Sequence, residues 1–293
     1  MYNLGTALAG ALVNPPWPET VPLPLEIIKS SGCNFVSLPI NPAGEATAAL
    51  SGPVLSTSKL TLQSAAQEIV AASLGLVTIP HNDPPGATDA IRLEYFLNFS
   101  TALLRFTQIC QVLPKGTMIE LWNEATYSEV QSGTYNLTWN SVITLYENAL
   151  QLVAIARQYG LLVVMPAPLD QSPEQTLLMQ QNNAFPWEQM AALKADYLSY
   201  HMYDIYGGLP FRTRLKTCTD TAEELGIPLI ITETNFGPDP WKIIQTEKEY
   251  KIQGIAHSIY QYIMDPPSTS DFSNTVVQIA IQSAINNPIT TIN

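Results

Sequence analysis

The sequence predicts an α/β chain folded as a closed, compact (β/α)8 barrel. Three observations carry this reading. Short apolar, β-prone runs repeatedly follow a glycine. Helical spacing fills the stretches between them. The interval is nearly constant, with Gly32, Gly75, Gly116 and Gly160 lying 41 to 44 residues apart.

Taken in order, the first strand is expected over residues 2–9. The second is Asn34-Phe-Val-Ser-Leu-Pro39, after Gly32, and the third is Leu76-Val-Thr-Ile-Pro80, after Gly75. Helical spacing over 58–73 joins these two. It recurs over 91–112 before a fourth strand at 117–122, and over 138–159 before a fifth at 161–166. The longer interval to Gly226 has room for a sixth strand at 195–201, and the seventh follows at 227–232. A helix is expected over 246–264, and the last β-rich run, 274–281, is expected as strand eight. Gly suits the left-handed turn that closes a helix. Apolar runs without alternation read as strands buried on both faces, the mark of a parallel sheet.

Eight such units in a chain of about 250–300 residues favour a closed barrel over an open doubly wound sheet. The open sheet would be supported by a Gly-rich phosphate fingerprint, but Gly5-Thr-Ala-Leu-Ala-Gly10 lacks its spacing. About a dozen residues follow the expected eighth strand, so the eighth helix is expected to be short or missing. No linker or low-complexity tract interrupts the pattern, and 1–293 reads as a single barrel domain.

Composition narrows the function. Of 293 residues, 46% are apolar, enough for a large core, while only 13% are charged, about half the roughly 25% of an ordinary domain. Ser, Thr, Asn, Gln and Tyr must therefore cover much of the surface. The net charge of −12 repels a phosphate backbone, which argues against nucleic-acid or anionic-membrane binding. No apolar run reaches the roughly 18 residues of a membrane span. Sparse bases also suit an acidic medium, where protonated carboxylates would leave a base-rich chain strongly positive.

Cys33, Cys110 and Cys218 are widely spaced and odd in number, which fits three buried thiols better than a disulfide framework or a zinc site. Asn98-Phe-Ser and Asn136-Leu-Thr match the short glycosylation pattern. With the low charge, they favour an extracellular or cell-surface setting. Met1-Tyr2-Asn3-Leu4-Gly5 has neither a basic start nor a long apolar stretch, so no signal peptide is expected in this chain.

In a (β/α)8 barrel, chemistry sits where the strands end. The third strand ends Pro80-His81-Asn82-Asp83, and the fourth ends Glu120-Leu-Trp-Asn123-Glu124. The sixth ends Tyr200-His201-Met-Tyr203, and the seventh ends Ile230-Ile-Thr-Glu233. Glu124 and Glu233, on strands four and seven, would face each other across one mouth. Two carboxyls across a cleft are the minimal apparatus for glycoside hydrolysis: one protonated to release the leaving oxygen, one ionised to attack the anomeric carbon. A gap of about 5–5.5 Å between them predicts retention of configuration.

At these residues the chain resembles the clan A glycoside hydrolases, retaining TIM-barrel glycosidases that include cellulases, mannanases and β-glucosidases. The likeness spans the whole strand order. Its specific part is Asn123-Glu124 at strand four with Glu233 at strand seven, 109 residues on. The resemblance implies that Glu124 is the general acid/base and Glu233 the nucleophile. It implies that Asn123 bonds the sugar 2-hydroxyl, that Tyr203 donates to the nucleophile, and that His201 lines the site. His81 and Asn82 resemble the sugar-binding His-Asn of the cellulase-like branch. Trp241, in the loop after strand seven, is the first choice for a sugar-stacking ring. The chain departs from that branch at Ser37, where many members carry Arg on strand two, and in lacking a clear Trp at strand eight.

Each residue also has a plainer use. Asn123 could cap a turn, Tyr203 could be a core aromatic, and His201 and His81 could simply pack. His257, in a helical stretch, reads as a packing or surface residue, and Trp122 as packing. Three histidines without ligand spacing do not argue for a metal, and no cofactor is needed for two-carboxylate chemistry. The reading is a retaining glycoside hydrolase acting on a β-linked glycoside or polysaccharide. The alternatives are a non-catalytic carbohydrate-binding module on a glycosidase-like barrel, and a transglycosylase.

Overall fold

The computed structural model describes residues 9–12, 25–30, 34–40, 62–80, 93–124, 137–203, 209–235, 249 and 255–259. Eight parallel strands close into a barrel in sequence order: β1 (Ala9–Leu12), β2 (Phe35–Ile40), β3 (Gly75–Pro80), β4 (Met118–Glu120), β5 (Leu162–Pro166), β6 (Tyr197–Tyr203), β7 (Leu229–Asn235) and β8 (Ala256–Ile259). Outside the barrel lie α1 (Leu25–Ser30), α2 (Leu62–Ala71), α3 (Glu94–Leu97), α4 (Phe99–Val112), α5 (Trp139–Gln158), α6 (Pro173–Gln181), α7 (Trp187–Leu193) and α8 (Phe211–Leu225). None of the described helices is long and apolar enough to cross a membrane.

The helices form where the sequence offers starts and stops. Asn98 caps α4, its Oδ1 accepting the Thr101 N–H at 3.4 Å. This exposed asparagine of the first glycosylation-type pattern thus has an ordinary structural use. Thr138 and Ser141 make a reciprocal capping box at α5. Gly226 closes α8 in the left-handed conformation, φ +67°. Gly75 serves differently. There Ser73 takes the positive φ, +61°, and Gly75 opens β3 directly opposite Phe35. A Cβ at Gly75 would lie 2.9 Å from the Phe35 Cβ, so the glycine permits the close approach of two strands.

Side chains alternate along each strand, which splits the core in two. One set packs between sheet and helices, for example Ile119, Leu198 and Ile231. The other, Phe35, Val77, Ile79, Met118, Val164 and Ile230, fills the barrel. Two residues further along the strands that carry Phe35, Met118, Tyr197 and Ile230 come Ser37, Glu120, Ser199 and Thr232, all fully buried. The barrel interior therefore changes from an apolar layer to a polar one just below its carboxyl end. Cys110 and Cys218 are buried free thiols, as expected. Cys33 lies outside the described residues.

One expected element is corrected, the eighth strand. Of the expected first strand, 2–9, only Ala9 lies among the described residues, and β1 runs from it to Leu12. The apolar run continues past Ala9, and only pairing with Phe35–Ser37 on one side and His257–Ile259 on the other fixes which residues are strand. The place between β7 and β1 is taken by Ala256–Ile259, inside the stretch expected as helix 246–264. Ile255, Ala256 and Ile259 fit helical spacing, but barrel closure supplies two strand partners and outweighs that local preference. His257 is thus a strand residue. Residues 274–281, expected as strand eight, lie outside the described residues. The expected short or missing eighth helix also falls outside the described residues.

Candidate active site

Glu124, His201 and Glu233 meet at the carboxyl end of the barrel. His201 Nδ1 lies 2.7 Å from Glu124 Oε1 and 3.7 Å from Glu233 Oε2. One ligating atom from each of the three lies within 4.8 Å of the others. The carboxylate of Glu233 and the imidazole are almost wholly enclosed, whereas about a third of the Glu124 side chain reaches solvent. One acid is thereby sunk in the floor and the other stands at the rim.

The backbone sets this arrangement by an irregularity. Along β6 and β7, Tyr200 pairs with Ile231 but the next residue, His201, pairs with Glu233. Thr232 is the extra residue of a β-bulge. In a regular strand Thr232 and Glu233 would face opposite sides. Here Thr232 Oγ1 lies 3.3 Å from Glu120 Oε1 inside the barrel, and Glu233 still reaches His201.

Beneath the pair lies a third acid that sequence reasoning did not select. Glu120 is fully buried, and its Oε1 accepts from Ser199 Oγ, from Gln171 Nε2 at 2.8 Å and from Thr232 Oγ1 at 3.3 Å. Burial pushes its carboxyl up to about 7, with Glu233 adding to the rise and His201 and the hydroxyl and amide donors opposing it. Burial alone would lower His201. The carboxyls of Glu233, Glu124 and Glu120 outweigh it and push the imidazole up to about 9. His201 therefore favours its protonated form more than a free imidazole does, set among three acids.

Asn123 is nearly buried, and its Oδ1 has no hydrogen-bond partner among the described residues. An acceptor in that position suits a hydroxyl donor. Ser37, at the strand-two position, is buried. Trp122 packs as the plainer reading held, between Tyr95 and Tyr146 with ring centroids 6.1 and 5.1 Å away. Tyr203 ends β6 opposite Asn235, but its side chain lies outside the described residues, as do His81, Asn82 and Trp241. A cleft of about 570 Å3 on the outer surface, lined by Leu177, Gln180, Phe185, Trp187, Asp220 and Glu224, involves none of the expected site residues.

Two carboxylates and an imidazole within 4.8 Å also have the spacing of a cation site. A metal needs a neutral imidazole, whereas the three acids favour the protonated ring, and Nδ1 already meets Glu124. The arrangement suits proton transfer better than metal binding.

No protein-family model matches the chain, and no curated protein matches it by sequence. Solved structures do match along nearly its whole length. A GH5-4 broad-specificity endoglucanase from an uncultured bacterium superposes with a TM-score of 0.66 at 14% identity, over 97% of this chain and 95% of that one. The catalytic domain of a mannanase from Streptomyces sp. SirexAA-E gives 0.61 at 15% identity, over 98% and 89%. A β-mannanase from Streptomyces thermolilacinus, solved with mannohexaose, gives 0.58 at 13% identity, over 98% of both chains. The chain therefore has a (β/α)8 fold, the fold of the endoglucanase and mannanases it resembles in structure.

Proposed function

We propose that this protein is a retaining glycoside hydrolase that cleaves a β-linked glycoside or polysaccharide by double displacement. One observation carries the reading. Glu124 and Glu233, from the ends of β4 and β7, come together at one histidine with their nearest oxygens within 4.8 Å. That spacing agrees with the roughly 5–5.5 Å separation of retaining enzymes, and it leaves no room for the water an inverting enzyme needs between its acids.

In the first step a Glu233 carboxylate oxygen bonds to the anomeric carbon. The glycosidic C–O bond breaks, and Glu124 gives its proton to the departing oxygen. The charge of Glu233 is then consumed in the ester. In the second step Glu124, now ionised, takes a proton from water as the water oxygen attacks the same carbon, and Glu233 leaves as carboxylate. His201, between the two acids, stabilises whichever of them is charged. Asn123 Oδ1 accepts from the sugar 2-hydroxyl, and Tyr203 supports the nucleophile. His81, Asn82 and Trp241 belong to the sugar-binding surface in this reading.

The similar barrels include endoglucanases and mannanases, so β-glucans and β-mannans are the first polymers to assay. Aryl β-glycosides should be hydrolysed between pH 3 and 7, with the β-anomer as the first product by proton NMR. Saccharide binding without turnover across the panel would favour the non-catalytic module, to which Ser37 in place of Arg lends its support. Transfer products dominating at high substrate would favour the transglycosylase.

A further inference from the structure

We propose that Gln171 is a positioning residue that sets the orientation of Glu124. The inference rests on the acid/base reading of Glu124 given above. Gln171 lies in the turn after β5, fully buried, with φ +52°. Its Oε1 accepts the backbone N–H of Glu124 at 2.8 Å. Its Nε2 donates to Glu120 Oε1 at 2.8 Å and to Ser199 Oγ at 3.3 Å. Its own carbonyl accepts the backbone N–H of His201 at 2.8 Å.

The orientation of the amide follows from its partners. A backbone N–H needs an acceptor, and a carboxyl oxygen that already takes a hydroxyl proton needs another donor. Only the placement found satisfies both. One side chain therefore ties the floor acid on β4 to the rim acid, and the same residue's backbone holds the histidine that bonds the rim acid.

Glu124 needs such a tether. Its φ of +24° is unusual for a residue with a Cβ, and such conformations persist where surrounding bonds over-determine them. Gln171 fixes Glu124 at its N–H, and through His201 it fixes Glu124 at its carboxylate. The amide touches no reacting atom. It acts on where the acid's proton points. A hydrocarbon of the same length would fill the space and leave the Glu124 N–H, the Glu120 oxygen and the rim geometry unheld.

The test uses the full chain with Gln171→Met, which keeps length but neither donor nor acceptor, and Gln171→Glu, which keeps shape. Turnover is measured on aryl β-glycosides ranging from phenyl to dinitrophenyl leaving groups. Gln171→Met should lose kcat/KM on the order of 100-fold for the phenyl glycoside, as expected for a displaced catalytic group. It should lose less than about 10-fold for the dinitrophenyl glycoside, which departs without a proton. KM should change little for the phenyl glycoside and should fall with kcat for the dinitrophenyl glycoside, where the second step limits turnover. Gln171→Glu should work best at low pH, where a protonated carboxyl can accept from Glu124 and donate to Glu120. It should fail as pH rises and the acids at 120 and 171 repel, beside the titrating groups of Glu124, His201 and Glu233. The parent should lack that limb.

Equal losses on both leaving groups, or parent-like kinetics and pH profile in both variants, would overturn the proposal. Glu124→Gln run in parallel separates the two readings. If it discriminates between leaving groups and the Gln171 variants do not, only the positioning role falls. If it hydrolyses the phenyl glycoside as the parent does, or if the parent turns over no glycoside, both fall.

Discussion

Thr232 and Glu233 are consecutive residues of β7, and both turn toward the same buried cluster. Thr232 meets Glu120 at 3.3 Å, and Glu233 lies 3.7 Å from His201. The bulge between them, where His201 skips Thr232 to pair with Glu233, joins a floor network to a rim pair. His201 then sits between acids that would otherwise repel, and the expected behaviour of variants follows from that geometry.

Replacing Glu233 with Ala removes the nucleophile and opens space beside the anomeric carbon. Turnover should fall by roughly 10⁴-fold or more, in line with losses for groups that act as one unit. Azide should restore part of it on activated aryl glycosides, with the α-glycosyl azide as product. A variant as active as the parent would end the assignment.

Replacing His201 with Asn removes the protonatable ring. Two carboxylates within 4.8 Å then oppose each other's ionisation, and one keeps its proton to higher pH. The acidic limb of the kcat/KM profile, which reports the nucleophile becoming ionised, should move upward, and kcat should fall by about 10- to 100-fold. An unmoved limb would show that the imidazole does not govern these acids.

The buried acid and the buried histidine both bind protons more tightly when folded. Glu120 rises from 4.5 to about 7 and His201 from 6.5 to about 9. For Glu120 the cost of ionisation is absent below pH 4.5 and grows until about 7. For His201 the benefit is full below pH 6.5 and is lost as pH passes about 9. Both make stability fall as pH rises, each by something on the order of 3 kcal/mol taken alone. Thermal melts should therefore show Tm dropping from about pH 5 to pH 9, and Glu120→Gln should flatten the lower half of that slope. A maximum above neutrality would contradict this, and with it the acidic setting that the sparse bases suggest.

Gly75→Ala tests the close strand contact. The added methyl would stand 2.9 Å from the Phe35 Cβ, a gap that only movement of two paired strands relieves. Overpacking of this kind costs about 1–3 kcal/mol, read as a lowered midpoint in urea. No loss would mean the β2–β3 edge yields freely.

The sequence by itself determined the eight-unit plan and marked candidate residues at three strand ends. Gly punctuation, apolar runs and helical spacing are local signals, and Asn123-Glu124, His201 and Glu233 stand where runs of such residues stop. It did not determine β8, because Ile255, Ala256 and Ile259 suit a helix as well as a strand and only closure against β7 and β1 decides between them. Nor did it mark Glu120, Gln171, Ser199 and Thr232 as one network. The alternation of β4 hints that Glu120 faces inward, two residues after Met118, but its partners come from 51, 79 and 112 positions away. A bulge in β7 and a left-handed turn after β5 aim those side chains at one another. Tertiary structure alone decides such aim, because a shift of one residue in strand register turns a side chain to the opposite face.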